Sequence, residues 1–281
     1  NVLEKNNIFI MPELPEVETT KNGISSYIVG KHVNDIIIRE RKLRWLIPSD
    51  LKDSLKNQRI NQITRRAKYL LFHTDNGCLI VHLGMSGSLR LVKKNLPHIK
   101  HDHVDFIFES KYLLRFHDPR KFGSILWTNK NPNLHRLIAH LGPEPLEDEF
   151  NADYLYAKSK NRSVSIKAFI MNSYIVVGVG NIYANEALFL SGINPKCKVN
   201  RISRMRYEKL VTSIKTILSK AIDMGGTTLR DFVNSDGVPG YFTNELKVYN
   251  YAGKPCPQCK NKIRVIKQNQ RSTFYCTSCQ T

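Results

Sequence analysis

Two cysteine pairs, Cys256-Pro257-Gln258-Cys259 and Cys276-Thr277-Ser278-Cys279, stand sixteen residues apart and constrain this chain more than any other feature. Paired C-x2-C turns at this spacing are the pattern of a structural zinc site. Each tight turn offers two thiolates, and four thiolates close a tetrahedron without leaving an open position. One Zn²⁺ bound in this way holds a fold together and activates no substrate. The alternative is a pair of disulfides. Between the pairs, Ile263 and Val265, then Thr273 and Tyr275, read as two strands of a ribbon whose tip is Lys267-Gln268-Asn269-Gln270-Arg271. A metal-pinned basic hairpin can reach a phosphate backbone. The two other cysteines, Cys78 and Cys197, read as inert thiols, and the metal pattern points to a reducing compartment.

Charge points the same way. The chain carries 43 Lys and Arg against 24 Asp and Glu, a net +19, and residues 247–281 hold seven of the cations and no acid. Such an excess favours a polyanionic partner. Nucleic acid fits better than a membrane, because the charge is spread through folded sequence and no basic amphipathic helix stands out. No apolar run approaches the ~18 residues of a membrane span. Residues 1–10 lack the length and apolar core of a signal peptide, and we expect residues 1–11 to be an extension outside the native fold. The 281 residues suffice for two domains and a small third.

The first half reads as strands: 36–38, 69–73, 78–83, 88–92, 104–108, 112–116 and 124–127 are short and rich in β-formers, with Asp75-Asn76-Gly77 as a hairpin turn. One helix precedes them, with Pro15 at its first position, Val17, Ile24 and Ile28 on one face and Gly30 past its end. This predicts a β-sandwich or barrel. A Pro-punctuated stretch, Asn131-Pro132 and Gly142-Pro143-Glu144-Pro145, marks a boundary. Beyond it, 165–171, 182–190 and 204–224 have helical spacing, and Gly225-Gly226 ends the last.

Several segments carry chemistry. Met11-Pro12-Glu13-Leu14-Pro15-Glu16-Val17-Glu18 is either an ordinary helix start or a reactive terminus. A chain beginning at Pro12 would present a secondary α-amine, titrating near 7.7–8.0 and able to form an iminium with a sugar aldehyde carbon. With Met11 attached, the same nitrogen is an inert amide. Lys68 sits in a basic cluster, 65–68, that runs into a strand. Lys100-His101-Asp102-His103 places two histidines on one strand face by alternation, suited to a DNA contact or, less well, to a metal. Asp118-Pro119-Arg120-Lys121-Phe122-Gly123 is either a hairpin with Phe122 folded inward or an intercalating wedge with Arg120 beside it. Val177-Gly178-Val179-Gly180-Asn181 opens a helix and offers N–H groups to a phosphate, or simply connects two helices. Residues 231–242 read as a lid over a base pocket or as a linker.

Together these segments resemble the formamidopyrimidine-DNA glycosylase family. The likeness runs from Met11 to Cys279 and rests on the Pro12–Glu18 run, 66–71, His82-Leu83-Gly84-Met85-Ser86-Gly87, 100–103, 118–123, 178–184 and the four cysteines, in family order. The related endonuclease VIII group has Gly where this chain has Leu14, which favours the purine-lesion branch. The resemblance implies an α+β multidomain protein: an N-terminal catalytic β-sandwich (12–142), a helix–two-turn–helix domain (143–246) and a zinc-ribbon finger (247–281), with DNA in the cleft between domains. It implies base-excision repair of oxidised purines, 8-oxoguanine and formamidopyrimidines, followed by β,δ-elimination at the abasic site. Pro12 would attack the sugar, Glu13 would supply a proton, Lys68 would contact phosphate and assist elimination, and Arg271 would serve the second elimination. Met85, Arg120 and Phe122 would fill the gap left by the everted base, while His101 and Asn181 would bind the backbone. Cys256, Cys259, Cys276 and Cys279 would hold the zinc. The expected partner is double-stranded DNA carrying an oxidised purine or an abasic site, engaged by a cytoplasmic, nucleoid-associated bacterial monomer. A retained extension would leave a silent lesion-binding protein. An endonuclease VIII-like pyrimidine-lesion glycosylase and a zinc-ribbon transcription factor are the other readings; the last leaves the Pro12–Glu18 run and Lys68 unexplained.

Overall fold

The computed structural model describes residues 12–226 and 242–281. They form two compact units, 12–139 and 140–226 with 242–281. No described helix is long and apolar enough to cross a membrane.

The first unit opens with helix α1 (Leu14–Ile28), which starts one residue before Pro15. A capping box fixes that start: Glu13 and Glu16 exchange side-chain to backbone hydrogen bonds, one of them from the Glu13 N–H to Glu16 Oε2 at 2.9 Å. Val17, Ile24 and Ile28 are buried along one face, and Gly30, at φ 82°, takes the left-handed turn that ends the helix. Two four-stranded antiparallel sheets follow. One has the order β1 (Val33–Ile38), β6 (Asp102–Phe108), β7 (Tyr112–His117), β5 (Ser88–Lys93). The other runs β2 (Gln62–Arg66), β3 (Tyr69–Thr74), β4 (Gly77–His82), β8 (Ser124–Thr128). A short helix, α2 (Leu51–Leu55), lies between β1 and β2 in the chain.

Alternation explains the core. Val104, Phe106 and Phe108 of β6 join Phe72, Leu79 and Val81 of the other sheet and the apolar face of α1 in a single buried cluster. The opposite face of β6 is polar yet also covered: Asp105 pairs with its cross-strand neighbour Arg115, through two bonds of 2.8 Å, and with Arg39 at 2.7 Å. These guanidinium groups hold the Asp105 carboxyl below the ordinary carboxylate range, against the opposing effect of burial.

The second unit holds α3 (Ala152–Ser159), α4 (Ile166–Ile170), α5 (Asn181–Leu190), α6 (Arg204–Asp223) and the antiparallel ribbon β9 (Arg264–Gln268) with β10 (Arg271–Tyr275). Helix α5 packs against α6 and against β10. Phe189 of α5 is part of the buried cluster of the ribbon, with Val248, Ile263 and Phe274.

Candidate nucleic-acid interface and active site

In the first unit, every candidate residue except those at the helix start sits on a turn. Pro12 and Glu13 are buried at the entrance to α1. Lys68, half-buried, follows Ala67 in the two-residue turn between β2 and β3. Ala67 has φ 55°, a left-handed conformation that costs a non-glycine residue about 1–2 kcal/mol. Arg65 ties this turn to α1, donating to Glu18 Oε2 at 2.7 Å and to Ala67 O at 2.9 Å. The chain therefore positions Lys68 with a strained turn and an ion pair to the helix that carries Glu13.

Met85 is half-buried in the loop between β4 and β5. His82 shapes that loop by accepting the Gly84 N–H at Nδ1, 2.9 Å away. Burial, helped by the charges of Lys68 and Arg44, pushes the His82 imidazole down to about 4, so it is neutral and able to accept. His101 is not on the strand, as alternation predicts. It lies just before β6 at φ 74°, and β6 carries an irregularity between Asp102 and Val104. Its ring still comes within 6.2 Å of His103 and 6.1 Å of His117. Desolvation and then the neighbouring Lys100 lower the His101 pKa. Phe122 is 40% exposed and Arg120 is exposed, with the guanidinium 4.9 Å from the Phe122 ring centroid. An inward-folded Phe122 is thereby excluded.

In the second unit, Gly178 at φ 79° and Gly180 as N-cap bring the chain into α5 at Asn181, whose buried Oδ1 has no hydrogen-bond partner among the described residues. Arg271 is exposed at the start of β10. The ribbon tip is a two-residue turn, Asn269 and Gln270, with both residues at positive φ, the form that matches strand twist. The four cysteine sulfurs lie within 4.8 Å of one another, with Cys256–Cys279 at 3.8 Å and Cys259–Cys276 at 3.4 Å. Sulfurs about 2.3 Å from a tetrahedral zinc sit about 3.8 Å apart, so the donors fit one structural Zn²⁺. Among the described residues, no other group of three or more His, Cys, Asp or Glu is placed to hold a metal.

Three buried polar side chains that the sequence reading did not single out fasten the ribbon, or the segment that leads into it, to the helices. Lys167 Nζ donates to Ser272 O at 2.9 Å and Thr273 Oγ1 at 2.8 Å. Asn185 Oδ1 accepts the Phe274 N–H at 2.8 Å. Glu186 accepts the N–H groups of Lys247, Val248 and Tyr249 at 2.9, 3.0 and 2.7 Å. Burial raises the Glu186 carboxyl, against those three donors. Asn185 and Glu186, polar residues side by side in the middle of a mostly apolar helix, are a signal that was present in the sequence.

Comparison with known proteins gives this arrangement its place. Sequence models of the formamidopyrimidine-DNA glycosylase N-terminal domain, the H2TH domain of the same proteins and a zinc finger found in them match residues 11–125, 141–233 and 253–281. The formamidopyrimidine-DNA glycosylase of Nitrosococcus oceani is 53% identical over 270 residues, covering 96% of this chain and all of the relative. The chain belongs to the formamidopyrimidine-DNA glycosylase family. The Stutzerimonas stutzeri member is 54% identical over the same length and coverage. The Lactococcus lactis protein bound to abasic-site DNA superposes with a TM-score of 0.89 at 34% identity, covering 96% of this chain and 99% of that one. The Thermus thermophilus protein gives 0.86 at 31%, covering 96% and 98%. Residues 227–241, which include most of the expected lid, lie outside the described residues.

Proposed function

We propose that this chain excises oxidised purines from double-stranded DNA and then cleaves the strand at the resulting abasic site. The observation that carries the reading is that family membership spans the chain, through the sandwich, the helices and the zinc ribbon. The domain limits that go with it are 12–142, 143–246 and 247–281.

A damaged base is out of reach inside the duplex and must be everted, at a cost of a few kcal/mol. Phe122, Arg120 and Met85 offset that cost by occupying the space the base leaves. His101, Asn181, Lys68 and Arg271 grip the phosphate backbone without reading sequence. The lone pair of the Pro12 amine attacks C1′, the base leaves with the glycosidic bonding pair and takes up the proton that the Pro12 nitrogen gives up, and Glu13 protonates the ring oxygen as the sugar opens to an iminium. The iminium accepts the electron pair released when a C2′ proton leaves, and the 3′ phosphate departs. Lys68 assists this step, and Arg271 assists the second elimination, which expels the 5′ phosphate. Cys256, Cys259, Cys276 and Cys279 would hold a structural zinc that braces the ribbon presenting Arg271.

The chemistry at the sugar requires a free Pro12 nitrogen. Protein beginning at Pro12 should be trapped on lesion DNA by borohydride, which reduces the iminium to a stable amine. Protein with residues 1–11 attached, verified by intact mass, should bind the lesion without trapping. Pro12→Gly at a free terminus should keep partial trapping, since a primary amine also forms a Schiff base. Efficient trapping by the extended protein would make another amine the nucleophile, with Lys68 the first suspect.

A further inference from the structure

The loops that carry Met85, His101 and the Arg120–Phe122 pair converge on one fully buried residue, Asp118. Its Oδ1 accepts the Ser86 hydroxyl at 2.7 Å and the Arg120 N–H at 3.3 Å, and its Oδ2 accepts the Gly123 N–H at 2.7 Å. Its main chain holds the third loop: the N–H donates to His101 O at 3.0 Å, and the carbonyl accepts from His103 Nε2 at 2.8 Å. The last contact requires the His103 proton to be on Nε2.

The loops also meet backbone to backbone. A Cβ on Gly84 would lie 2.4 Å from the carbonyl carbon of Phe122, and one on Gly123 would lie 2.6 Å from Phe116 Cζ and 2.8 Å from His82 O. Two of these three neighbours are backbone atoms, and the third belongs to the fully buried ring of Phe116, so none is free to give way. The carboxylate thus closes the Met85 loop onto the 118–123 turn, and the Asp118 main chain fastens the His101 loop to the same turn. A carboxylate suits this place because both of its oxygens accept. An amide has one accepting oxygen: set on the Gly123 N–H it leaves its NH₂ facing the Arg120 N–H, and turned over it leaves the NH₂ facing the Gly123 N–H, so one donor meets another in either orientation.

We infer that Asp118 is a positioning residue for base eversion: its carboxylate locks the Met85 loop to the Arg120–Phe122 turn, so that the three side chains enter the duplex as one pre-formed wedge. The inference rests on the wedge reading given above. A loose wedge would have to be ordered during insertion, and that cost would fall on eversion alone. Cleavage at a pre-formed abasic site, where no base must be displaced, would be largely spared.

The test compares single-turnover excision from an 8-oxoguanine duplex with strand cleavage of a duplex bearing a pre-formed abasic site, using protein that begins at Pro12. Asp118→Asn should slow excision about 30-fold, the equivalent of one buried charge-assisted hydrogen bond, and abasic cleavage by less than about threefold. Ser86→Ala, which removes only the hydroxyl link, should slow excision about fivefold with the same selectivity. A 2-aminopurine next to the lesion should report slower eversion in both. Equal losses on the two substrates would mean general destabilisation and would overturn the inference. Should Asp118→Asn not fold, as judged by circular dichroism, Ser86→Ala decides alone: selective loss supports the lock, and wild-type rates on both substrates overturn it. Phe122→Ala separates this proposal from the reading beneath it. If that variant is selective while both lock variants are not, the wedge stands and the lock fails. If it is unselective, the wedge reading itself fails and takes the lock with it.

Discussion

Glu186→Gln tests how the segment leading into the zinc ribbon is held to the helices. Glu186 is buried in α5, and its Oε1 accepts the N–H groups of Val248 and Tyr249 while Oε2 accepts that of Lys247. The amide can keep the first two bonds on its single oxygen, but its NH₂ then faces the Lys247 N–H. One charge-assisted bond is lost, and a buried donor is left facing another donor. That costs about 2–4 kcal/mol, offset in part because no charge has to be buried, for a net loss of about 2 kcal/mol. Glu186→Ala leaves all three N–H groups without an acceptor and should cost about 4 kcal/mol. In thermal unfolding of the zinc-loaded protein, the Gln variant should melt about 5–10 °C lower, and a chelator should strip its zinc faster. The refuting result is a Gln variant within about 0.5 kcal/mol of wild type together with an Ala variant no worse, the range of an ordinary surface change. The ribbon would then be held by the Lys167 and Asn185 contacts without Glu186.

Cys256→Ser or Cys279→Ser should lower zinc content and weaken DNA binding while residues 12–139 stay folded, as read by metal analysis and limited proteolysis. His82 makes stability pH-dependent. Its folded value of about 4 lies below the unfolded 6.5, so its contribution is present above pH 6.5 and is lost as pH falls toward 4. The difference corresponds to about 3 kcal/mol, and His82→Asn, which can still accept the Gly84 N–H, should flatten the acid limb of urea-unfolding curves. Lys68→Ala and Arg271→Ala should each reduce the log–log salt slope of DNA binding by about one unit, measured by anisotropy titration, and an unchanged slope would place those charges away from DNA.

Much of the secondary structure was legible because it depends on near neighbours. Richness in β-formers located seven of the strands, and α1, α4, α5 and α6 fell on the spans that helical spacing predicted. The elements that escaped were those whose own pattern is weak. Strand β2, Gln-Ile-Thr-Arg-Arg, is an edge strand with little to bury, and its pairing to β3 makes it a strand. Helix α3 is short, capped by Asn151 and packed on α6. Gly77 was read correctly as part of a hairpin, yet its reason is not the turn. A Cβ there would sit 2.5 Å from Thr128 O and 2.6 Å from the Trp127 ring, so the glycine serves the neighbouring strand β8.

By itself, the sequence determined the metal-ligand spacing, the periodicity of strands and helices, the charge that calls for a polyanion, and the chemical groups on offer at Pro12, Lys68 and Arg271. Each of these is a property of a residue or of its neighbours within a turn or two. The tertiary structure decided whether those groups are buried or displayed and which donor meets which acceptor. Phe122 is the same residue in an inward hairpin or a wedge, and only packing leaves it 40% exposed beside Arg120. Asp118 and Glu186 are ordinary acids in the chain until the fold carries Ser86 from 32 residues away to one, and Lys247 from 61 residues away to the other. Burial and hydrogen-bond partnership are set by residues distant in sequence, and no local pattern encodes them.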